Sequence, residues 1–72
     1  MKKNIIILQG IVEDTLPNST FNVKIPGYPK LIFCYIAGKL RTHFIKIVNG
    51  DKVKIEVSSY DLTKGRIVSR DS

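Results

Sequence analysis

The sequence is poor in the residues that disulfides, metal sites and catalytic centres require. Its 72 residues include one cysteine, Cys34, and one histidine, His43. One cysteine cannot form an intramolecular disulfide, and one cysteine with one histidine cannot complete a zinc site. The glycine-rich phosphate-binding motifs and the H-E-x-x-H metal motif are also absent. We therefore expect no enzymatic activity, no cofactor and no metal, and a reducing compartment.

The N-terminus lacks a long apolar run. After the basic start, the apolar stretch of residues 5–8 is too short for a secretory signal and far too short to span a bilayer. An amphipathic presequence rich in Arg and Ser is missing as well. We expect a chain that engages no membrane and that is made in the compartment where it works, unless it was processed.

Acidic residues are scarce, and the excess of basic over acidic residues is uneven along the chain. Twelve Lys and Arg stand against six Asp and Glu, which gives a net charge of +6. Residues 15–50 contain no acid, and their bases are Lys24, Lys30, Lys39, Arg41 and Lys46. This balance indicates an anionic partner, nucleic acid first and a membrane surface second. The plain alternative is a solvated surface that happens to be basic.

A chain of this length has room for one domain, and residues 1–72 are expected to form it, with residues 1–4 and 71–72 as frayed ends. Alternation of apolar and polar residues is its main signal, and Gly10 predicts a bulge or a sharp bend. The predicted strands are residues 5–12, 20–25, 31–36, 52–57 and 65–70. Turn residues separate them at 16–19, 26–29, 49–51 and 61–65.

One segment has the spacing of a helix. Leu40, Phe44 and Ile47 follow one another at i, i+4 and i+7. Five short strands with a short helix between strands 3 and 4 are typical of an OB-fold, a Greek-key barrel of the all-β class. That fold often binds oligonucleotides on the face of strands 2 and 3. An SH3-like barrel is the alternative, although it would not normally carry a helix at that place.

The third predicted strand leaves the orientation of its side chains open. If Cys34 points inward as a small buried hydrophobe, Phe33 and Tyr35 point outward, beside Lys24 of strand 2. Aromatic rings on such a basic face stack on bases. In the opposite orientation Phe33 and Tyr35 belong to the core, and in a mixed case one of the two rings covers the mouth of the barrel. Periodicity does not choose among these.

Three acidic residues are expected to have structural roles. Glu13 and Asp14 are adjacent, so a strand turns them to opposite faces, and we expect them to end the first strand in solvent. Glu56 alternates with lysines, which predicts a cross-strand ion pair.

Several short segments together resemble one protein family. They are Leu16-Pro17-Asn18 with Phe21 and Val23, Gly38-Lys39 with Arg41, Phe44-Ile45-Lys46-Ile47, Gly50-Asp51-Lys52-Val53, Tyr60-Asp61 and Lys64-Gly65-Arg66-Ile67-Val68. Each segment is weak alone, but their order and spacing are specific. From residue 9 to residue 70 the chain resembles bacterial-type translation initiation factor one, of the plastid-encoded type.

The resemblance implies an OB-fold that is not an enzyme and that binds the small ribosomal subunit as a monomer. Members of the family occupy the decoding A site, where they contact ribosomal RNA and a neighbouring ribosomal protein. They block premature tRNA entry and assist the other initiation factors. The RNA-binding residues expected from the resemblance and from the chemistry of the side chains are Lys24, Phe33, Tyr35, Lys39, Arg41, His43, Lys46, Lys64, Arg66 and Arg70. Tyr60 and Asp61 match the family's loop signature and are interpreted as shaping that loop.

Some positions depart from the family pattern. Ala37 stands where a serine is usual, and Ser69 stands where an aromatic residue is common. The alternative function is a general single-stranded RNA-binding OB-fold protein of the cold-shock type, although the aromatic run typical of that class is absent. Eleven isoleucines and nine lysines against one alanine indicate an AT-rich genome. We expect an organelle-encoded protein of the plastid (chloroplast) stroma, with bacterial cytoplasm as the alternative.

Overall fold

Five strands lie in the predicted order in residues 4–36 and 46–71. A computed structural model describes residues 4–36, 38 and 46–71. The strands are β1 (Ile5–Leu16), β2 (Thr20–Lys24), β3 (Leu31–Ile36), β4 (Lys52–Ser58) and β5 (Asp61–Asp71). They form a closed barrel in which neighbouring strands follow the order β1-β2-β3-β5-β4. This is the five-stranded OB-fold that the alternation predicts.

The strand β1 is long enough to belong to two ladders. Its residues 5–11 pair with β4, and its residues 11–16 pair with β2, so Ile11 takes part in both. All of these pairings are antiparallel. The barrel is closed on the far side by β3 and β5, which run parallel.

Gly10 lies where β1 passes close to β2, and not at a bulge. The register with β4 runs through Gly10 without interruption, and the irregularity of β1 lies between Val12 and Asp14. A Cβ atom at Gly10 would lie 2.6 Å from Cγ1 of Val23 and 2.7 Å from the carbonyl oxygen of Lys24. Of the predicted bulge or sharp bend at Gly10, the bulge is therefore wrong, because the register is uninterrupted there. The glycine instead allows the close approach of two strands.

Two strand ends also differ from the prediction. The strand β1 continues past Glu13 and Asp14 to Leu16, so these acids do not end it, and the irregularity there leaves both of them exposed. The strand β5 begins at Asp61, inside the predicted turn, because the chain already turns at residues 59–60.

The interior of the barrel is apolar. Alternate residues of the strands point inward, as the pleat requires, and most are β-branched residues that favour strands. In the part of the chain that the structure describes, the buried core residues are Val12, Phe21, Val23, Ile25, Ile32, Cys34, Ile36, Ile47, Val53, Ile55, Val57 and Ile67. Among the described residues no polar or charged side chain is buried.

The turns at residues 17–19 and 49–50 lie inside the predicted ones and depend on left-handed backbone. Asn18 and Ser19 have φ values of 64° and 58°, and Gly50 has a φ of 91°. Most of the predicted helix falls on residues 39–45, which lie outside the described residues, although Ile47 at its end is buried. No helix in the described part of the chain is long and apolar enough to cross a membrane.

Candidate nucleic-acid interface

One outer face of the barrel carries basic and aromatic side chains from three strands. It consists of Lys24 of β2, Phe33 and Tyr35 of β3, and Lys64 and Arg66 of β5. We call it the basic-aromatic face. All five residues are exposed. Five of the predicted RNA-binding residues therefore share one side of the barrel.

The strand β3 turns Phe33 and Tyr35 toward solvent. Ile32, Cys34 and Ile36 are buried, whereas Phe33 is 42% exposed and Tyr35 is 48% exposed. Of the orientations that periodicity leaves open, the outward one is confirmed. Rings that a strand holds at this exposure are able to stack on nucleobases.

The parallel pairing of β3 with β5 sets a cation beside each aromatic ring. Phe33 is the register partner of Lys64, and Tyr35 is the register partner of Arg66. Neighbouring strands lie about 4.8 Å apart, so each ring and its cation are close neighbours. A base stacked on either ring thus brings its backbone phosphate toward a positive charge. Rings and cations alternate in this way on surfaces that bind single-stranded RNA.

Arg66 forms an ion pair with Glu56 across the ladder of β4 and β5. The guanidinium Nη2 donates a hydrogen bond to Oε1 of Glu56. That hydrogen bond, with the carboxylate charge, raises the pKa of Arg66 above its ordinary value, so the guanidinium stays charged at any physiological pH. The predicted cross-strand ion pair of Glu56 is confirmed, with Arg66 as its partner.

A shallow groove of about 350 Å³ borders the basic-aromatic face. It offers an aromatic ring, an aliphatic side chain, a hydroxyl, one carboxylate and two cations. Its lining residues are Ile5, Tyr35, Glu56, Ser58, Lys64, Gly65 and Arg66. Such a mixture suits a ligand that is flat at one end and anionic at the other, as a nucleotide is.

Lys46 and Arg70 form a second basic site near the C-terminal end of β5. Nη1 of Arg70 donates a hydrogen bond to the carbonyl oxygen of Lys46 at 2.6 Å. Both side chains are exposed. The hydrogen bond holds two of the predicted RNA-binding residues next to each other. Lys39, Arg41 and His43 lie outside the described residues, and their role stays a prediction.

Tyr60 is an exposed aromatic residue that the sequence reasoning treated as structural. Its ring is 84% exposed, and its phenol oxygen accepts a hydrogen bond from Nδ2 of Asn4 at 2.9 Å. Its neighbour Asp61 does shape the chain locally, because Oδ1 of Asp61 accepts a hydrogen bond from the backbone amide of Thr63 at 3.0 Å. The hydrogen bonds from Thr63 lower the pKa of Asp61. An aromatic residue in an otherwise polar turn was the available signal for an exposed ring.

Cys34 belongs to the core and not to a reactive site. Its side chain is fully buried, and burial raises the pKa of its thiol to about 12. The interpretation of Cys34 as a small buried hydrophobe is confirmed. In the described part of the chain, no group of three or more His, Cys, Asp or Glu side chains is placed to hold a metal ion.

The closed five-stranded barrel places the chain among the OB-fold proteins. The family model for translation initiation factor 1A / IF-1 matches residues 2–72. The chain therefore belongs to this family of translation initiation factors.

A solved structure of the same kind is also similar to this chain. It is the solution structure of translation initiation factor one from the Wolbachia endosymbiont strain TRS of Brugia malayi. The two chains are 38% identical, the match covers 97% of this chain and 82% of that chain, and the TM-score is 0.77. The resemblance to bacterial-type initiation factor one is thereby confirmed.

Proposed function

We propose that this initiation factor binds the small ribosomal subunit at the decoding A site through contacts with ribosomal RNA. There it blocks premature tRNA entry and assists the other initiation factors, in contact with a neighbouring ribosomal protein. It acts as a monomeric binding protein without catalytic activity. The observation that carries the proposal is the basic-aromatic face on a chain of this family.

The binding energy comes from two kinds of contact. The cations Lys24, Lys64 and Arg66, with the predicted Lys39 and Arg41, neutralise phosphates and orient the domain. Phosphate contacts carry affinity but little sequence information. The exposed rings of β3 add stacking on unpaired bases. Specificity then depends on the shape of a folded RNA site, as is usual for RNA recognition.

Sedimentation with small subunits tests the proposal. The purified protein is mixed with bacterial-type small ribosomal subunits and sedimented through sucrose at two salt concentrations, with chemical footprinting of the RNA. If about four phosphates are engaged, log K falls with log salt at a slope of roughly −3 to −4. We expect salt-sensitive binding with protection confined to the decoding site. Absence of binding, or salt-resistant binding at another place, contradicts the proposal.

A double substitution tests the predicted helix residues. Lys39→Ala with Arg41→Ala is expected to weaken binding to small subunits by about tenfold or more, because two phosphate contacts are lost. Lys30→Ala with Lys52→Ala is the matched control, since it removes the same charge from an exposed loop residue and an exposed β4 residue outside the predicted RNA-binding set. Circular dichroism of all variants checks the fold. Equal affinity of the two double variants contradicts the roles of Lys39 and Arg41.

A general single-stranded RNA-binding protein is the second candidate. The alternation of exposed rings and cations on β3 and β5 favours it, because such surfaces bind RNA without regard to sequence. The ratio of the affinity for small subunits to the affinity for free single-stranded RNA distinguishes the two candidates. An initiation factor binds small subunits far more tightly than free single-stranded RNA, whereas a general binder prefers free RNA.

We also propose that the factor is encoded and works in a plastid, with bacterial cytoplasm as the alternative. The excess of isoleucine and lysine over alanine supports an AT-rich genome, as plastids have. The genome sequence around the gene tests this proposal directly.

A further inference from the structure

Glu56 places a negative charge inside a groove that otherwise presents cations. Its carboxylate lies across the ladder from Arg66 on β5, and its register partner on β1 is Ile7. The charged side chains that line the groove are Glu56, Lys64 and Arg66. Glu56 is 28% exposed and Arg66 is 46% exposed, so solvent and ligands reach the ion pair.

An RNA phosphate that enters the groove would bind the guanidinium of Arg66, which is already paired with Glu56. Arginine binds phosphates and carboxylates through the same planar fork of donors. The two anions therefore compete for Arg66, and the displaced carboxylate stays nearby, where like charges repel. An ion pair this exposed is weak, so a phosphate is able to displace Glu56. The phosphate nevertheless binds less tightly than it would to an unpaired arginine.

We propose that Glu56 competes with RNA phosphates for Arg66 and thereby lowers the affinity of the groove for free single-stranded RNA. The inference rests on the proposed function, because it concerns the same RNA-binding face. Because the penalty falls on a single phosphate contact, Glu56 lowers the affinity by a similar factor for every RNA that places a phosphate at Arg66.

The test compares Glu56→Gln with the wild-type protein on a labelled single-stranded oligouridine of about twelve nucleotides, a length that fits one OB-fold. Fluorescence anisotropy gives the affinity over a series of salt concentrations. Glutamine keeps the size of the side chain and removes its charge. Glu13→Gln is the matched control, because Glu13 is exposed on β1 and is not among the residues that line the groove.

We expect Glu56→Gln to bind the oligouridine about two- to fivefold more tightly than the wild type, the range that exposed ion pairs allow. The slope of log K against log salt should become steeper by up to about 0.7, because Glu56 no longer offsets the charge that Arg66 brings to a phosphate of a single strand. The affinity for small subunits should rise by a similar factor, because the same contact with Arg66 is strengthened. Glu13→Gln should leave the salt slope unchanged, because it adds no phosphate contact.

A double-mutant cycle with Arg66→Gln separates competition for Arg66 from a general charge effect. With Arg66 removed, Glu56→Gln should have no effect on the salt slope. If Glu56→Gln does not fold, as judged by thermal unfolding, Glu56→Thr replaces it, since threonine is suited to a strand.

Three results overturn the inference. In the first, Glu56→Gln binds the oligouridine more weakly with a shallower salt slope, which makes Glu56 a positioning residue for Arg66. In the second, Glu56→Gln and Glu13→Gln behave alike, or the effect survives in the Arg66→Gln background. In the third, the wild type and Glu56→Gln both fail to bind the oligouridine at low salt. Failure of the wild type to bind small subunits, with the oligouridine results as expected, refutes the proposed function and leaves the role of Glu56 intact.

Discussion

Gly10 shows how much one missing side chain matters in a barrel this small. Its Cα faces the point where β1 meets β2, and a Cβ atom there would come within 2.6 Å of Cδ1 of Ile25 and Cγ1 of Val23. The carbonyl oxygen of Lys24, at 2.7 Å, belongs to the backbone and cannot rotate away. Space at this residue, and not backbone freedom, therefore explains the glycine.

Gly10→Ala is expected to lower the free energy of unfolding by about 1–3 kcal/mol, the usual cost of overpacking a core. Urea unfolding followed by circular dichroism measures the change. Gly38→Ala serves as the control, because a Cβ atom there meets no described atom within 4 Å. Equal stabilities of the two variants contradict the assigned role of Gly10.

Cys34 is expected to resist thiol reagents as long as the barrel is folded. Burial raises its pKa to about 12, so at pH 8 only about one thiol in ten thousand is ionised, against roughly a quarter for an exposed cysteine of ordinary pKa. The thiolate is the reactive form. A colorimetric thiol assay should therefore show slow labelling in buffer and fast labelling in concentrated urea. Rapid labelling of the folded protein contradicts the buried position of Cys34.

At the scale of elements, the turn before β4 is fixed to β1. The backbone amide of Gly50 donates to the carbonyl oxygen of Val12 at 2.8 Å, and the amide of Val12 donates to the carbonyl oxygen of Asp51 at 2.9 Å. The carboxylate Oδ2 of Asp51 also accepts a hydrogen bond from the amide of Val48 at 3.0 Å. These contacts set where the segment that carries Lys46 rejoins the barrel.

Asp51→Ala is expected to lower the free energy of unfolding by about 0.5–1.5 kcal/mol, because the amide of Val48 loses its acceptor. Asp51→Asn is the matched control, since its side-chain carbonyl still accepts that hydrogen bond. Urea unfolding of both variants measures the difference. A loss of stability in Asp51→Asn as large as in Asp51→Ala means that charge, and not the hydrogen bond, stabilises the turn.

The strands were predictable because each has a solvent-exposed face and a buried face. Alternation along β2 and β4 identifies both strands, and it also identifies the core residues that they contribute. The length of β1 was not predictable, since Glu13 and Asp14 look like a strand end, yet the irregularity beside Val12 lets both acids stay in solvent while pairing continues to Leu16. The alternation of apolar and polar residues along one strand does not show where that strand leaves one neighbouring strand and pairs with another.

The residues of the candidate site were selected from the sequence, but their arrangement in space could not be predicted from it. Their charge and the resemblance to the initiation-factor family identify Lys64 and Arg66 as candidate RNA-binding residues. Only the parallel pairing of β3 with β5 shows that they lie beside Phe33 and Tyr35. That pairing joins residues about thirty positions apart in the chain, and such long-range contacts leave no periodic signal. The partner of Glu56 lies only ten positions away, but the register of β4 with β5 shifts between Val57 and Ser58, so the spacing in the sequence did not identify it.

At the scale of the whole molecule, the proposed RNA binding has two separable contributions, charge and stacking. The net charge of +6 attracts any RNA, and its effect weakens as salt rises. Stacking on Phe33 and Tyr35 involves no charge, so it should be nearly independent of salt. The basic-aromatic face combines the two on neighbouring strands, which makes them testable with matched substitutions.

Phe33→Leu with Tyr35→Leu is expected to weaken binding to small subunits by about 1–3 kcal/mol for each base that loses its stack, with an unchanged salt slope. Lys64→Gln with Arg66→Gln should instead make the slope of log K against log salt shallower by about 1.8, because two phosphate contacts disappear. Leu31→Ala is the control, since Leu31 is an exposed aliphatic residue on the same face of β3. Anisotropy titrations of the labelled protein with small subunits, over a salt series at constant magnesium, measure both quantities. If the aromatic pair changes the slope, rings and cations do not act as separate contacts. If the basic pair leaves the slope unchanged, Lys64 and Arg66 do not contact phosphates, and the RNA approaches the barrel from another side.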